Sequence, residues 1–392
     1  MVKKMYILAQ GFAENGGSFF GFVEEIAKAF SGKRYAVKIL CRKMQKAEKN
    51  YERFSYAEVY RFQFSKFPFF NAIAEELLFA FKVNSFLKKD NFQEGEIIIA
   101  NGLTPLGLKK RYILRAPDQP VLTFLKNMAL ASKYTPFISR IARALHFHIF
   151  YFMDKRVIRN ATAVIYSSEA NRQENIKQYG VVGKPYFIPN KGIDISYFKH
   201  IPKKKKSRKL LFVAHRDEKI RKGAIYLERI LPKLFTKYPD AELTHVGEKS
   251  LWDVPDWCRK RINSTGKVPK DKMREYYMAS DILVFCALNE GIPATIMEAM
   301  ASKLPIVTSD IEGVGEYIEH MKGGYIYKRG DAKGLLSGIS YMLDNPEKSM
   351  KMAENSFEKI KSLDSKKYYP LLLKFAEDIY AGKPESKDIL NS

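Results

Sequence analysis

The chain has 392 residues, of which 46% are hydrophobic, and a formal net charge of +24 at pH 7. That length buries a large core and suits two domains rather than one. No charge-free run of about 18 apolar residues occurs, and the opening MVKKMYILAQGFAENGG has too short an apolar stretch and no small-residue cleavage site, so neither a spanning helix nor a signal peptide is supported and a cytoplasmic protein is expected. Cys41, Cys258 and Cys286 are too widely spaced for a zinc or disulfide pattern and read as isolated reduced thiols. His146 and His148 flank one residue, which points them to different faces of a helix rather than to a shared metal. Residues 1–200 hold +16 of the charge excess, and the rest hold +8. Such a field favours anionic partners: nucleic acid, an anionic membrane or phosphorylated substrates.

In chain order the predicted strands are MYILAQ, YAVKILC, EIIIAN, PVLTFL and ATAVIYSS, then KLLFVAH, AELTHVG, DILVFCA, PIVTSD and GGYIYK, with helical stretches between them. Strands that alternate with helices read as buried parallel sheets, one per half. After the first strand comes GFAENGGSFFGFVEEIAKAF, where Phe19, Val23, Ile26 and Phe30 recur at helical spacing and place Gly16 and Gly17 at the loop-to-helix junction. Backbone N–H groups there can hold a phosphate, although a glycine pair before a helix is also an ordinary tight turn and the spacing is not the dinucleotide fingerprint. Two later segments, YRFQFSKFPFFNAIAEELLFAFKVNSFLKK and KYTPFISRIARALHFHIFYFMDKRVIRN, interleave aromatic and basic residues. Much of each must be core, yet the mixture also suits a surface lying on an anionic bilayer. NKGIDISYFKHIPKKKKSRK, residues 190–209, has six basic residues within Lys203 to Lys209 and reads as a solvated connector between domains.

In the second half, RDEKIRKGAIYLERILPKLF follows the strand KLLFVAH. It sets Arg216 at the strand end and Lys222, beside Gly223, at the next helix start. Two cations at the carboxyl end of a strand suit a diphosphate, Arg gripping two oxygens and Lys acting as a point charge. NEGIPATIMEAM, residues 289–300, follows DILVFCAL, and Pro293 fits the first turn of the helix it opens, leaving the N–H groups of Ala294 and Thr295 free. Glu290 lies ahead of this helix and Glu298 inside it; the five steps from Pro293 to Glu298 span roughly 7 to 8 Å at the helical rise. The two carboxylates can thus accept hydrogen bonds from hydroxyls at opposite ends of one ligand, whereas the same pair without context would read as a cap and a solvated Glu.

These motifs resemble the retaining glycosyltransferases of family four, whose signature of two Glu flanking seven residues is matched by Glu290 and Glu298. FIPNKGIDISYF is similar to the family's interdomain segment, AHRDEKIRKG to its diphosphate loop, and STGKVPKDKMREYYMASDILVFCALNEGIPATIMEAMASKLPIVTSDIEGVGEYI to its donor-site core. The resemblance implies an α/β GT-B fold, two Rossmann-like domains facing each other across a cleft. The expected divisions are an acceptor domain over 1–195, a basic linker over 196–207, a donor domain over 208–365 and a C-terminal helix over 366–392 packing back on the first domain. It further implies a nucleotide-sugar donor, with a UDP-sugar favoured. Arg216 and Lys222 would bind its diphosphate and stabilise the leaving group, Glu290 would contact the transferred sugar, and Glu298 the ribose. Backbone groups of Gly291, Ile292 and Ala294, with Thr295 beside them, would meet the sugar, those of Gly266, Lys267 and Val268 the base, and those of Gly16 and Gly17 the phosphates. Departure of a nucleoside diphosphate builds negative charge that cations and helix N–H groups can meet, and the chain has no Asp-x-Asp motif, so no metal and no cofactor are expected.

Two positions depart from the family pattern. Leu125 stands where many members place a His near the acceptor, which leaves the acceptor-side chemistry unassigned, and His215 stands where a small Gly is common in the phosphate loop. The expected acceptor is a lipid-linked or cell-surface glycan, met by a peripheral enzyme at the anionic inner face of the cell membrane. A GT-B epimerase or hydrolase is the nearer alternative. A nucleic-acid-binding protein is the more distant one, since no recognition motif is visible and the basic residues are spread along the chain.

Overall fold

A computed structural model describes residues 3–14, 18–31, 35–64, 71–117, 137–198, 208–214, 219–247, 252–291 and 293–390, the side chains of 18–20, 71–73 and 137–147 excepted. The chain forms two compact units; among the described residues, the first holds those up to 117, 144–192 and 366–390, and the second those of 137–143 and 193–365.

The first unit is a nine-stranded sheet with β1 (Lys3–Ala9), β2 (Tyr35–Arg42), β3 (Tyr51–Arg53), β4 (Glu58–Phe62), β5 (Ile97–Asn101), β6 (Ile113–Arg115), β7 (Ala163–Ile165), β8 (Tyr186–Ile188) and, from the chain's end, β15 (Lys387–Asp388). Helices α1 (Ser18–Phe30), α2 (Asn71–Lys89), α3 (Phe137–Asn160) and α4 (Glu169–Tyr179) connect them. The order is β15-β8-β7-β6-β5-β1-β2-β4-β3, parallel throughout except for the β3–β4 pair. Met5 to Ala9 are all buried, as expected of a central strand covered on both faces by crossover helices. Phe79, Val83 and Leu87 of α2 pack into one core with Met153 and Val157 of α3 and with Tyr6, Leu8, Ile98 and Leu114 of the sheet. PVLTFL, read as a strand, lies outside the described residues, while β3, β4, β6 and β8 were not foreseen.

The second unit contains β9 (Lys209–Val213), β10 (Glu242–Val246), β11 (Ile262–Ser264), β12 (Ile282–Phe285), β13 (Ile306–Ser309) and β14 (Tyr325–Tyr327). Its helices are α5 (Ala224–Lys237), α6 (Asp256–Arg259), α7 (Met273–Ala279), α8 (Ala294–Ala301), α9 (Val314–Tyr317), α10 (Ala332–Asp344) and α11 (Pro346–Ile360). All six strands are parallel in the order β11-β10-β9-β12-β13-β14. Numbered within the unit, that is the doubly wound order 3-2-1-4-5-6, whose direction of winding reverses between its first and fourth strands. The chain therefore leaves the carboxyl ends of β9 and β12 in opposite directions, opening a crevice between the two loops that follow.

The C-terminal helix α12 (Ser365–Tyr380) buries Tyr368, Tyr369, Leu372, Phe375 and Ile379. Its bonds run to the first unit: Tyr369 Oη donates to Glu25 Oε2 at 2.6 Å, Tyr368 Oη to the Pro189 carbonyl at 2.8 Å and Tyr380 Oη to the Arg111 carbonyl at 2.9 Å. The expected helix over 366–392 ends at Tyr380, and Lys387–Asp388 instead add β15 to the edge of β8, the Ile389 N–H donating to the Ile188 carbonyl at 2.9 Å. The segment read as a linker from 196 begins inside the second unit: Phe198 is 4% exposed and stacks edge-on to Tyr277.

Candidate active site

The loops after β9 and β12 are tied together by main-chain contacts. Gly223, at the N-cap of α5, has φ +75, and a Cβ there would lie 1.7 Å from the carbonyl oxygen of Cys286, so only glycine lets the turn press against the end of β12. The Leu288 N–H donates to the Arg221 carbonyl at 2.8 Å, and the Cys286 thiol to the Lys222 carbonyl at 3.4 Å, burial pushing that thiol's pKa up. The zipped turn sends two neighbouring cations to one carboxylate. Lys222 Nζ lies 2.9 Å from Glu290 Oε1, and Arg221 Nη1 donates to the same oxygen and to the Asn289 carbonyl at 3.2 Å. Glu290 and Lys222 are each 14% exposed at the side chain, where water screens their attraction less than at the surface.

Arg221 was not foreseen. The sequence shows two adjacent cations before Gly223, but only the turn decides that both reach Glu290. Arg216, with His215 and its neighbours through 218, lies outside the described residues, as do Ile292, Gly16, Gly17 and Leu125.

Helix α8 follows this loop. Pro293 is its N-cap, with φ −76 and ψ 145, and Ala294 is the first helical residue; the proline stands one place earlier than its preference for the first turn suggested. The N–H groups of Ala294 and Thr295 have no intrahelical acceptor, as at any helix start. The Thr295 hydroxyl is buried with no partner among the described residues. Gly291, half-buried, leads into this helix start from Glu290. Further in, Glu298 is 7% exposed and its Oε2 accepts from Tyr277 Oη at 2.7 Å. Burial, and then the charge of Glu298 and the hydrogen bond to it, hold the Tyr277 phenol protonated far above its ordinary range. Phe198 backs Tyr277, so the segment entering the second unit supports the carboxylate indirectly.

A third strip lies beyond β10 and β11. The Gly247 N–H donates to the Gly266 carbonyl at 3.1 Å, with Gly266 at φ +83 and open space where a side chain would stand. Lys267 is exposed and Val268 half-buried beside it. His245, 2% exposed, braces this strip: its Nε2 is 3.0 Å from the Ala214 carbonyl and its Nδ1 is 3.2 Å from Ser264 Oγ. A carbonyl only accepts, so Nε2 carries a proton.

The second unit therefore gathers, at the carboxyl ends of one parallel sheet, paired cations on a carboxylate, a helix start and a second, buried carboxylate. Open α/β sheets bind ligands at such a reversal of strand order. Sucrose-phosphate synthase from Thermosynechococcus elongatus superposes with a TM-score of 0.75 at 15% identity, over 97% of this chain and 100% of that one. HepE of Anabaena, solved with UDP and glucose, gives 0.64 at 15% identity over 95% and 98%. These similarities define the class of architecture, GT-B. Family models match in succession, Glycosyltransferase Family 4 over residues 22–197 and Glycosyl transferases group 1 over residues 194–359. The chain belongs to the family-four glycosyltransferases. Among similar proteins, a glycosyltransferase of Haemophilus influenzae is 29% identical over 140 residues, 34% of this chain and 40% of its own length. Phosphatidyl-myo-inositol mannosyltransferase of Mycolicibacterium smegmatis is 27% identical over 170 residues, 41% of this chain and 43% of its own. In both, the match spans less than half of the relative.

Proposed function

We propose that the protein is a retaining glycosyltransferase that moves a hexose-type sugar from a nucleotide-sugar, a UDP-sugar in preference, to a lipid-linked or cell-surface glycan at a membrane. The observation that carries this reading is the Lys222–Glu290–Arg221 cluster at the reversal of strand order, next to the start of α8. A donor diphosphate is met there by Lys222 and by the N–H groups opening α8, with Arg216 assigned to the same task from the sequence. As the glycosidic bond breaks, charge builds on the departing diphosphate, where fixed cations and helix dipoles lower the barrier. Glu290 then faces the transferred sugar, Glu298 the ribose, and the strip at Gly266 to Val268 the base. The acceptor attacks the face from which the leaving group departs, which preserves the anomeric configuration. Because protein groups meet the diphosphate charge, turnover is expected to persist in EDTA.

The UDP preference draws support from the Anabaena HepE structures with UDP and with UDP-glucose. The membrane acceptor draws it from the names of similar proteins, among them the phosphatidyl-myo-inositol mannosyltransferase. The first unit supplies a suitable face. Leu77, Leu78 and Phe81 of α2 are exposed beside Lys82, Lys88 and Lys89, and Phe152 of α3 is exposed beside Arg156.

The test is a thermal-shift panel of UDP-, GDP- and ADP-sugars in EDTA, followed by donor turnover with and without a membrane glycolipid extract. Stabilisation by one nucleotide family and turnover that requires the extract are expected. Turnover indifferent to the extract would mean an epimerase or hydrolase instead. Glu290→Gln is expected to abolish transfer while leaving nucleotide binding within about threefold, the pattern of a group that acts mainly in the transition state.

A further inference from the structure

A second cavity lies in the same unit at the opposite end of the sheet. It has a volume of about 470 Å³, within the range of small-molecule sites. Arg208, Ile282 and Pro305 mark it as the amino end of β9, β12 and β13, whereas the candidate active site follows the carboxyl ends of β9 and β12. The ends of α7, α8 and α10 and the start of α11 close round it.

Its chemistry is specific. Met278, Met342 and Met350 line it together with Leu304 and Leu343, and three flexible thioethers adapt to a bending chain better than a rigid aliphatic wall. Of the charges on its lining, Arg208 is paired with Asp240 at 2.6 Å, and Asp281 accepts from the Lys209 N–H at 2.9 Å. Lys303 has no carboxylate within ion-pair distance among the described residues; its ammonium lies over the Phe357 ring at 4.8 Å. Arg208 and Lys303 are also two of the four non-glycine residues described with positive φ, both at +50. Such backbone is costly for a side-chain-bearing residue and clusters at ligand sites.

We propose that this pocket binds a small anionic amphiphile, an aliphatic chain with one carboxylate or phosphate head at Lys303, and that its occupancy is coupled to the donor site. The route is short. Tyr277 lines the pocket and donates to Glu298, and Ser302 and Lys303 end the α8 segment that carries Glu298. A ligand that fixes this end of α8 biases the position of Glu298. Binding rests on the pocket alone; the coupling rests on the donor-site reading above.

Calorimetry on the full chain tests both parts, with decanoate and decyl phosphate as headed probes and 1-decanol as the headless one, all below micellar concentration. Saturable binding of a headed probe is expected, and the tighter one identifies the head. Met350→Trp fills the pocket and should weaken it at least about tenfold. Lys303→Asn, a residue that accepts the same positive φ, should weaken the headed probes and spare decanol. UDP affinity should change about fivefold when the pocket is saturated, and the probe's affinity should change equally when UDP is bound. No saturable binding, or binding indifferent to Met350→Trp, overturns the site; equal weakening of decanol by Lys303→Asn overturns the head assignment. A bound probe with unchanged UDP affinity overturns only the coupling. Failure of UDP, GDP and ADP alike to bind, while the probe does, removes the donor reading and leaves the pocket standing.

Discussion

Glu290 is held by two cations of unequal kind. On the donor-site reading proposed above, a diphosphate would recruit Lys222, and Arg221 would still orient the carboxylate once donor is bound. Arg221→Met is therefore expected to lower kcat by about 10- to 100-fold, with the donor KM within about threefold and partial recovery in Arg221→Lys. A loss confined to KM would make Arg221 a donor contact instead. Another carboxylate in the first unit has a different fate. Burial raises the pKa of Asp154 from 3.8 to about 7; the bond from Tyr179 Oη at 3.1 Å opposes this and the charge of Glu76 adds to it. The folded state thus holds this proton more tightly than the unfolded chain. The stability it brings is complete below about pH 4 and is lost as pH rises to about 7, beyond which the folded protein carries a buried charge. Asp154→Asn keeps an acceptor for Tyr179 and is expected to stabilise the protein at pH 8 by something on the order of 4 kcal/mol, flattening the slope between those limits. Denaturant titrations at pH 4 and pH 8 check it, and a variant less stable at pH 8 would refute the assignment. Glu290 and Glu298 were candidates through the motif that resembles the family's, whereas Arg221 and Tyr277 were not, because their partners are distant in sequence and are chosen by loop packing.

Two glycines decide whether the elements of the site approach one another. Gly223 faces the Cys286 carbonyl, and a Cβ on Gly247, at φ +151, would lie 1.7 Å from the Ala214 carbonyl. Neither neighbour is a flexible side-chain tip that can swing away. Gly223→Ala must part the turn from β12, and is expected to cost about 3 kcal/mol or more and to remove nucleotide-induced stabilisation along with it. A thermal melt with and without UDP measures both; an unchanged melting temperature would show that the loops do not depend on this contact. The strands of the second unit were readable as apolar runs bounded by turn residues. The short β6, β8 and β11, three residues each, were not, since they are strands by virtue of the neighbours they pair with.

Across the whole chain, the excess of +16 in residues 1–200 and the exposed Leu77, Leu78, Phe81 and Phe152 act together. On the membrane reading proposed above, charge would draw the protein to an anionic surface at long range and apolar side chains would hold it there. Co-sedimentation with anionic vesicles is expected at low salt, with release at about 0.5 M salt, where screening confines the attraction to a few ångströms. Phe81→Ser should weaken the bound state without altering its salt dependence. Equal binding to neutral vesicles would exclude the electrostatic part.

The sequence by itself determined the class of fold, because the period of apolar residues and the turn residues that punctuate it are local properties of the chain. It also singled out Glu290, Glu298 and Lys222 as candidates, through motifs that resemble those of the family and are read along the chain. Only the tertiary structure decided that β15 extends the sheet of the first unit, that Tyr277 holds Glu298 and that Arg221 shares Glu290 with Lys222. Each of these is a contact between segments far apart in sequence, fixed by the order of strands in a sheet and by how closely glycine lets two loops approach.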